Sequence, residues 1–169
     1  MINQTYLDYS QAIKEQLDEQ GFVLLSDILT QQPNYEDTTT RIQQPASACY
    51  EQLSTPKKLL EALSEYAKKI SIETSDSHTR RFFAGDFTLQ DYEEPYEGYE
   101  IIYMHAPEWQ DMYRGEVTYT PEDSQPIIVP ITHNALAIIK RSADMRSFVK
   151  RVTHHAKEQS FTLTTLSSR

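Results

Sequence analysis

The sequence predicts a mainly β protein, a jelly-roll or cupin-like core flanked by about two to three helices on its N-terminal side. Three observations predict it. Apolar residues recur at helical spacing only up to about Ile70, short β-rich runs follow, and Gly, Pro, Asn or acidic turns separate those runs where a βαβ sheet would need helices. The expected division of the 169 residues is a single domain, 1–169, with a mainly helical preface over 1–70 containing one short strand and a β core over 71–167. A chain of this size can bury roughly 70% of the surface it exposes when unfolded, so no second domain is needed for stability.

Tyr6, Tyr9, Ile13 and Leu17 share one helical face, and Gly21 supplies a helix end. Phe22, Val23, Leu24 and Leu25 read as a short buried strand. Residues 31–45 are polar, Thr-rich and punctuated by Pro33 and Pro45, and read as a loop. Thr55 and Pro56 read as an N-cap followed by proline at the first helical position, where its missing N–H costs nothing. Leu59, Leu60, Leu63, Tyr66, Ala67 and Ile70 then form one face of a helix. The strands expected after it cover 80–89, 99–105, 116–120, 126–131, 135–140, 147–154 and 160–166.

The 25 acidic against 16 basic residues give a net charge of −9, which repels phosphate backbones and argues against nucleic acid as a direct partner. The charge is uneven: residues 86–123 hold eleven Asp or Glu against one Arg, and residues 140–151 hold five Lys or Arg against one Asp. Two protein-facing patches or ordinary solvated surface both account for this. Cys49 is the single cysteine, so no internal disulfide forms and a reducing nuclear or cytoplasmic setting is expected, with the thiol buried and inert. The N-terminus has no basic-then-apolar leader, and no apolar run reaches the ~18–20 residues of a membrane span, so neither secretion nor a membrane partner is expected.

Four stretches, in matching order and spacing, resemble one known family: NQTYL at 3–7, RRFFAGDFTL at 80–89, NALAII at 134–139 and SFVKRVTH at 147–154. They look like the C-terminal half of the fungal and animal 2-oxoglutarate- and Fe(II)-dependent prolyl hydroxylases that modify a small-subunit ribosomal protein. That group includes a yeast translation-termination and polyadenylation factor and a fission-yeast oxygen sensor of the sterol-response pathway. The resemblance runs from Ile2 to about Leu166, with little contribution from 31–48. It implies a double-stranded β-helix that has lost its chemistry while an N-terminal half keeps it, with Fe(II) and 2-oxoglutarate belonging to that other half. It also implies a degradation domain, whose partners are its own catalytic half, a fragment of a sterol-response transcription factor and an inhibitory regulator protein. The chain resembles that half alone, as an excised piece or a free-standing paralogue would.

The residues support the loss. A non-haem Fe(II) oxygenase needs two imidazoles and a carboxylate, but the early position, Gln90-Asp91-Tyr92-Glu93, has no histidine, and neither does the late strand around Phe148 to Val152. His154 and His155 follow it; on a strand they would point to opposite faces and could not share an ion. The last expected strand offers hydroxyls where active relatives place a cation for the oxo-acid carboxylate, and Arg169 lies at the terminus. His105 and His133 read as turn or capping residues, and Asp91, Glu93 and Glu94 as a solvated acidic turn, although such carboxylates suit acid–base work in principle. No catalytic, cofactor-binding or metal residue is therefore assigned.

Protein binding is assigned to Tyr92, Tyr96, Trp109, Met112 and Tyr113, because Tyr and Trp combine rigid apolar area with one polar handle. Tyr99 and Tyr103 are expected to fill the barrel core. The acidic surface favours a basic partner, and an exposed sheet edge could accept an extended peptide. The alternatives are a surviving dioxygenase and a small-ligand-binding barrel.

Overall fold

A computed structural model describes residues 1–35, 39–44, 46–89 and 94–168. The helical preface begins with α1, Gln4–Asp8, and α2, Ser10–Gln20. The single helix expected from Tyr6 to Leu17 is divided at Tyr9, whose φ of −97° and ψ of 15° depart from helical values. Asn3 caps α1 by accepting the Thr5 amide at 3.2 Å. Gly21 ends α2 with φ +72°, its amide donating to the Leu17 carbonyl at 2.8 Å, which is the left-handed stop a glycine takes without steric cost.

Strand β1, Phe22–Leu25, follows as expected. The loop reading of 31–45 is corrected over β2, Thr39–Gln44, which pairs with β3, Ala48–Leu53; the preface thus holds three strands. The β2 strand is exposed at nearly every position, so it lacks the apolar alternation from which strands are read. Helix α3, Lys57–Lys69, buries Leu59, Leu63, Tyr66 and Ala67 as expected, but Pro56 is its N-cap residue. The Thr55 hydroxyl pairs with that of Thr79 at 2.8 Å in place of capping the helix.

The remaining strands are β4 (Asp76–Phe82), β5 (Phe87–Thr88), β6 (Gly98–His105), β7 (Val117–Thr120), β8 (Ile127–Val129), β9 (Ala135–Arg141), β10 (Arg146–Val149) and β11 (Phe161–Ser168). The strand expected over 80–89 is two strands, because Asp86 closes a turn by accepting the Phe83 amide. The strand β10 ends at Val149, and the chain beyond it makes a 3-10 turn at His154–Ala156.

All pairing is antiparallel. One sheet runs β1-β9-β6-β11-β4-β3-β2 with β5 beside β3, and a smaller one runs β10-β7-β8. Strand alternation divides the apolar residues between two cores. On β6, Ile102 and Met104 face the barrel interior between the sheets, together with Ala135, Ala137 and Ile139 of β9 and Phe161 and Leu163 of β11. Ile101, Tyr103, Leu136, Ile138 and Leu166 face the other way, onto Leu17, Leu59, Leu63 and Tyr66 of the helices. Tyr99 and Tyr103 therefore serve the helix-side core, not the barrel core. Each fully buried large apolar side chain stabilises by about 1.5–3 kcal/mol, so both layers are needed to offset chain entropy. Among the described residues no helix is long and apolar enough to cross a membrane.

Candidate functional site: the polar mouth of the barrel

At the end of the barrel where β6 begins and β9 ends, the inward positions turn polar. The alternation that points Ile102 inward also points Glu100 inward, and the run of Ala135, Ala137 and Ile139 continues to Arg141. The Arg141 side chain is 1% exposed and that of Glu100 8%. Arg141 Nη1 donates to Glu100 Oε2 and to Ser147 Oγ on β10, the latter at 3.2 Å, while Nη2 donates to the Met145 carbonyl at 2.8 Å. The guanidinium lies 4.4 Å from the ring centroid of Tyr96 and 5.4 Å from that of Tyr119. The Tyr96 hydroxyl donates to the same Glu100 oxygen at 3.2 Å. Burial opposes the charge on Arg141, but the Glu100 carboxylate outweighs it and holds the guanidinium pKa above its ordinary value. Burial first, and then the Glu100 charge, push the Tyr119 phenol well above its usual range.

Beside this pair lies a cavity of about 20 Å³, lined by His78 and Arg80 of β4, Thr88 of β5, Glu100, Ser147 and Thr165 of β11, among others. A water molecule needs roughly 10–15 Å³, so the space admits one water and not an oxo acid. Ser147 takes the inward place on β10, and the interior face of β11 carries Phe161, Leu163 and Thr165. The described residues of β10 hold no imidazole, and those of β11 hold neither an imidazole nor a cation. Among the described residues no cluster of three or more His, Cys, Asp or Glu could hold a metal ion. These residues do not fit iron with a 2-oxo acid. Gln90, Asp91, Tyr92 and Glu93, matched above to the early ligand position, lie outside the described residues, as does Arg169.

The remaining histidines form two pairs. His154 and His155 sit on one exposed 3-10 turn with ring centroids 4.0 Å apart, which corrects the expectation that they diverge on a strand. His105 and His133 meet edge to face at 5.3 Å. His105 Nδ1 lies 3.2 Å from Gln32 Oε1, which also accepts the Tyr103 hydroxyl, and His133 Nδ1 accepts the Ala106 amide. Burial, then His133 and Arg81, lower the His105 pKa. Glu94 is exposed.

Cys49 is half-buried, which corrects the fully buried reading, and its sulfur accepts from Arg41 at 3.0 Å. Arg41 also makes a two-pronged contact with the buried Asp86, tying β2 to the turn before β5. Burial first, and then the Asp86 carboxylate, raise the Cys49 pKa.

The residues assigned to protein binding fall on separate elements. Trp109, Met112 and Tyr113 share the segment around a 3-10 turn at Asp111–Tyr113. Trp109 packs on Phe161 and Tyr113 at centroid distances of 4.8 and 5.2 Å and donates its indole N–H to the Arg114 carbonyl, so much of its surface serves the barrel. Met112 stays 54% exposed. Tyr96 covers Arg141, and Tyr92 lies outside the described residues. The basic stretch from Lys140 to Arg151 is thinned in the same way, because Arg141 points inside. The Glu100–Arg141 pair was missed in the sequence; its signal is a lone Glu inside the apolar run of 99–104 and an Arg ending that of 135–139.

With this geometry in view, comparisons with known proteins assign the fold. The chain covers 95% of itself and 98% of a Pseudomonas putida prolyl-4-hydroxylase at TM-score 0.65 and 12% identity. The fold is that of the prolyl hydroxylases. A Trichoplax adhaerens prolyl hydroxylase in complex with a hypoxia inducible factor oxygen degradation domain peptide fragment superposes over 97% of this chain and 90% of that one, at TM-score 0.64 and 10% identity. A 2OG-Fe(II) oxygenase family oxidoreductase from Burkholderia pseudomallei superposes at TM-score 0.64 and 11% identity, over 94% and 90%. In sequence, the chain is 31% identical over 105 residues to the mouse prolyl 3-hydroxylase OGFOD1, covering 59% of this chain. It spans only 19% of that relative's length. No family model matches.

Proposed function

We propose that this chain is a non-catalytic, protein-binding and regulatory domain of a 2-oxoglutarate- and Fe(II)-dependent prolyl hydroxylase. The observation that carries the reading is the filled barrel: an apolar interior, a buried Glu100–Arg141 pair at the mouth and room for one water. In this reading iron and 2-oxoglutarate belong to the parent's catalytic half, on which this domain packs. It promotes oxygen-dependent destruction of a sterol-response transcription-factor fragment under an inhibitory regulator protein, in the nucleus and cytoplasm. The single-domain span of 1–169 and the β core of 71–167 are parts of the same proposal. Tyr92, Tyr96, Trp109, Met112 and Tyr113 remain the proposed contact residues, and among those the structure describes Met112 offers the most free surface. The sequence similarity to a prolyl 3-hydroxylase supports the family, and the peptide held by the Trichoplax adhaerens neighbour supports a fold suited to extended partners.

Titration of the fluorescently labelled chain with the catalytic half, and separately with the transcription-factor fragment, tests this reading. Saturable binding at one to one, weakened by Met112→Asp, is expected for at least one of them. Binding to neither sinks the interaction role.

A further inference from the structure

We infer that the barrel mouth is a binding site for a small carboxylate that the chain satisfies in cis with its own Glu100. Four features carry this. Arg141 is nine-tenths buried and more, yet it is presented by β9 with two of its nitrogens already aimed by Ser147 and the Met145 carbonyl. Its planar fork is the geometry that recognises carboxylates, and it is held rigidly by Tyr96 on one side and Tyr119 near it. The donors exceed what Glu100 uses: the Nε of Arg141 is buried without a hydrogen-bond partner among the described residues. The acid itself arrives on a different strand, 41 residues away in sequence, and its Oε2 takes the Tyr96 hydroxyl as well as the guanidinium. The receptor half, Arg141 with Ser147, Tyr96 and Tyr119, is thus built apart from the carboxylate that fills it. The adjoining cavity of about 20 Å³, lined by Arg80, Thr88 and Thr165, adds polar wall and a little slack on the side of the acid.

The ligand class follows from what Glu100 contributes. Glu100→Ala removes a CH₂–COO⁻ group, the outline of acetate, and formate is smaller still. Larger acids have no room while the side chains of Ile102, Val117 and Leu163 line the space beneath.

The test is thermal unfolding of Glu100→Ala, wild type, and the double variant Glu100→Ala with Arg141→Met, each in sodium formate, sodium acetate or sodium chloride at equal ionic strength. At formate ten times its dissociation constant, the folding equilibrium of Glu100→Ala rises about tenfold over chloride, as linkage requires for one site. Wild type and the double variant show no difference between the salts. A formate effect absent from a folded Glu100→Ala overturns the inference, and so does one of equal size in wild type. If Glu100→Ala is unfolded in chloride, refolding is followed across a formate titration: recovery supports the site, and no recovery at any concentration overturns it.

Discussion

Arg141 shows how one residue decides what a barrel can hold. A guanidinium at 1% exposure persists only because Glu100, Ser147 and the Met145 carbonyl accept its hydrogen bonds. A dry pair of this kind has little net value against an apolar replacement of both partners, whereas removing one partner costs about 3–5 kcal/mol. We therefore expect Arg141→Met alone to lose stability on that scale, and Glu100→Leu with Arg141→Met to recover most of it. Urea unfolding of these two variants and of Glu100→Leu alone checks this, and additive losses would contradict it. His105 supplies a pH dependence. Its pKa in the folded chain is lowered from the 6.5 that the unfolded chain keeps, so the unfolded state binds more protons between the two values. Its contribution to stability is whole above pH 6.5 and is lost as pH falls through the folded value. Urea midpoints at pH 7.5 and 5.5 should fall less for His105→Gln than for wild type; equal falls would remove His105 from the account.

At the scale of elements, short polar devices replace missing backbone pairs. Thr88 on the two-residue β5 accepts the Val149 amide of β10 through its hydroxyl at 2.8 Å, linking the two sheets. Thr88→Val keeps the shape and orphans that amide, a cost of about 1–3 kcal/mol readable in chemical unfolding. Asn134 sits at φ +53° and clasps Leu29 from both sides, its side chain accepting the Leu29 amide at 3.1 Å and donating to the Leu29 carbonyl at 2.9 Å. This fixes the start of β9 against the segment that follows β1. Asn134→Ala combines a strained backbone with lost buried bonds, and a loss of about 2–4 kcal/mol is expected by the same measurement. Elements such as β6, β9 and β11 were legible in the sequence, because burial on both faces leaves apolar β-rich runs between turns. The β2 strand was not, since an exposed edge needs no apolar face, and neither was the break at Tyr9, which sits in helical spacing on either side.

For the whole molecule, parity explains what was misjudged. Tyr99 and Tyr103 were expected in the barrel core and lie in the helix-side one, because a strand between two cores gives no sign in its own sequence of which side is the barrel. The Glu100–Arg141 site was hidden for a related reason: Glu100 counts toward an acidic stretch and Arg141 toward a basic one until the register of β6 against β9 brings them together. The missing imidazole on β10 and missing cation on β11 were legible directly, as they require only residue types at two strands. Surface and interior make different demands on Trp109. Its ring packs on Phe161, so Trp109→Ala should cost about 2–3 kcal/mol, below the ~3–5 of a fully buried aromatic, whatever its role at an interface. The proposed lack of an iron–oxo acid centre rests on a barrel that its own described side chains fill. Anaerobic titration calorimetry of the purified chain with Fe(II) in the presence of 2-oxoglutarate tests it most directly. No saturable heat is expected; binding at one iron per chain, with 2-oxoglutarate consumed once oxygen is admitted, would show a working iron centre.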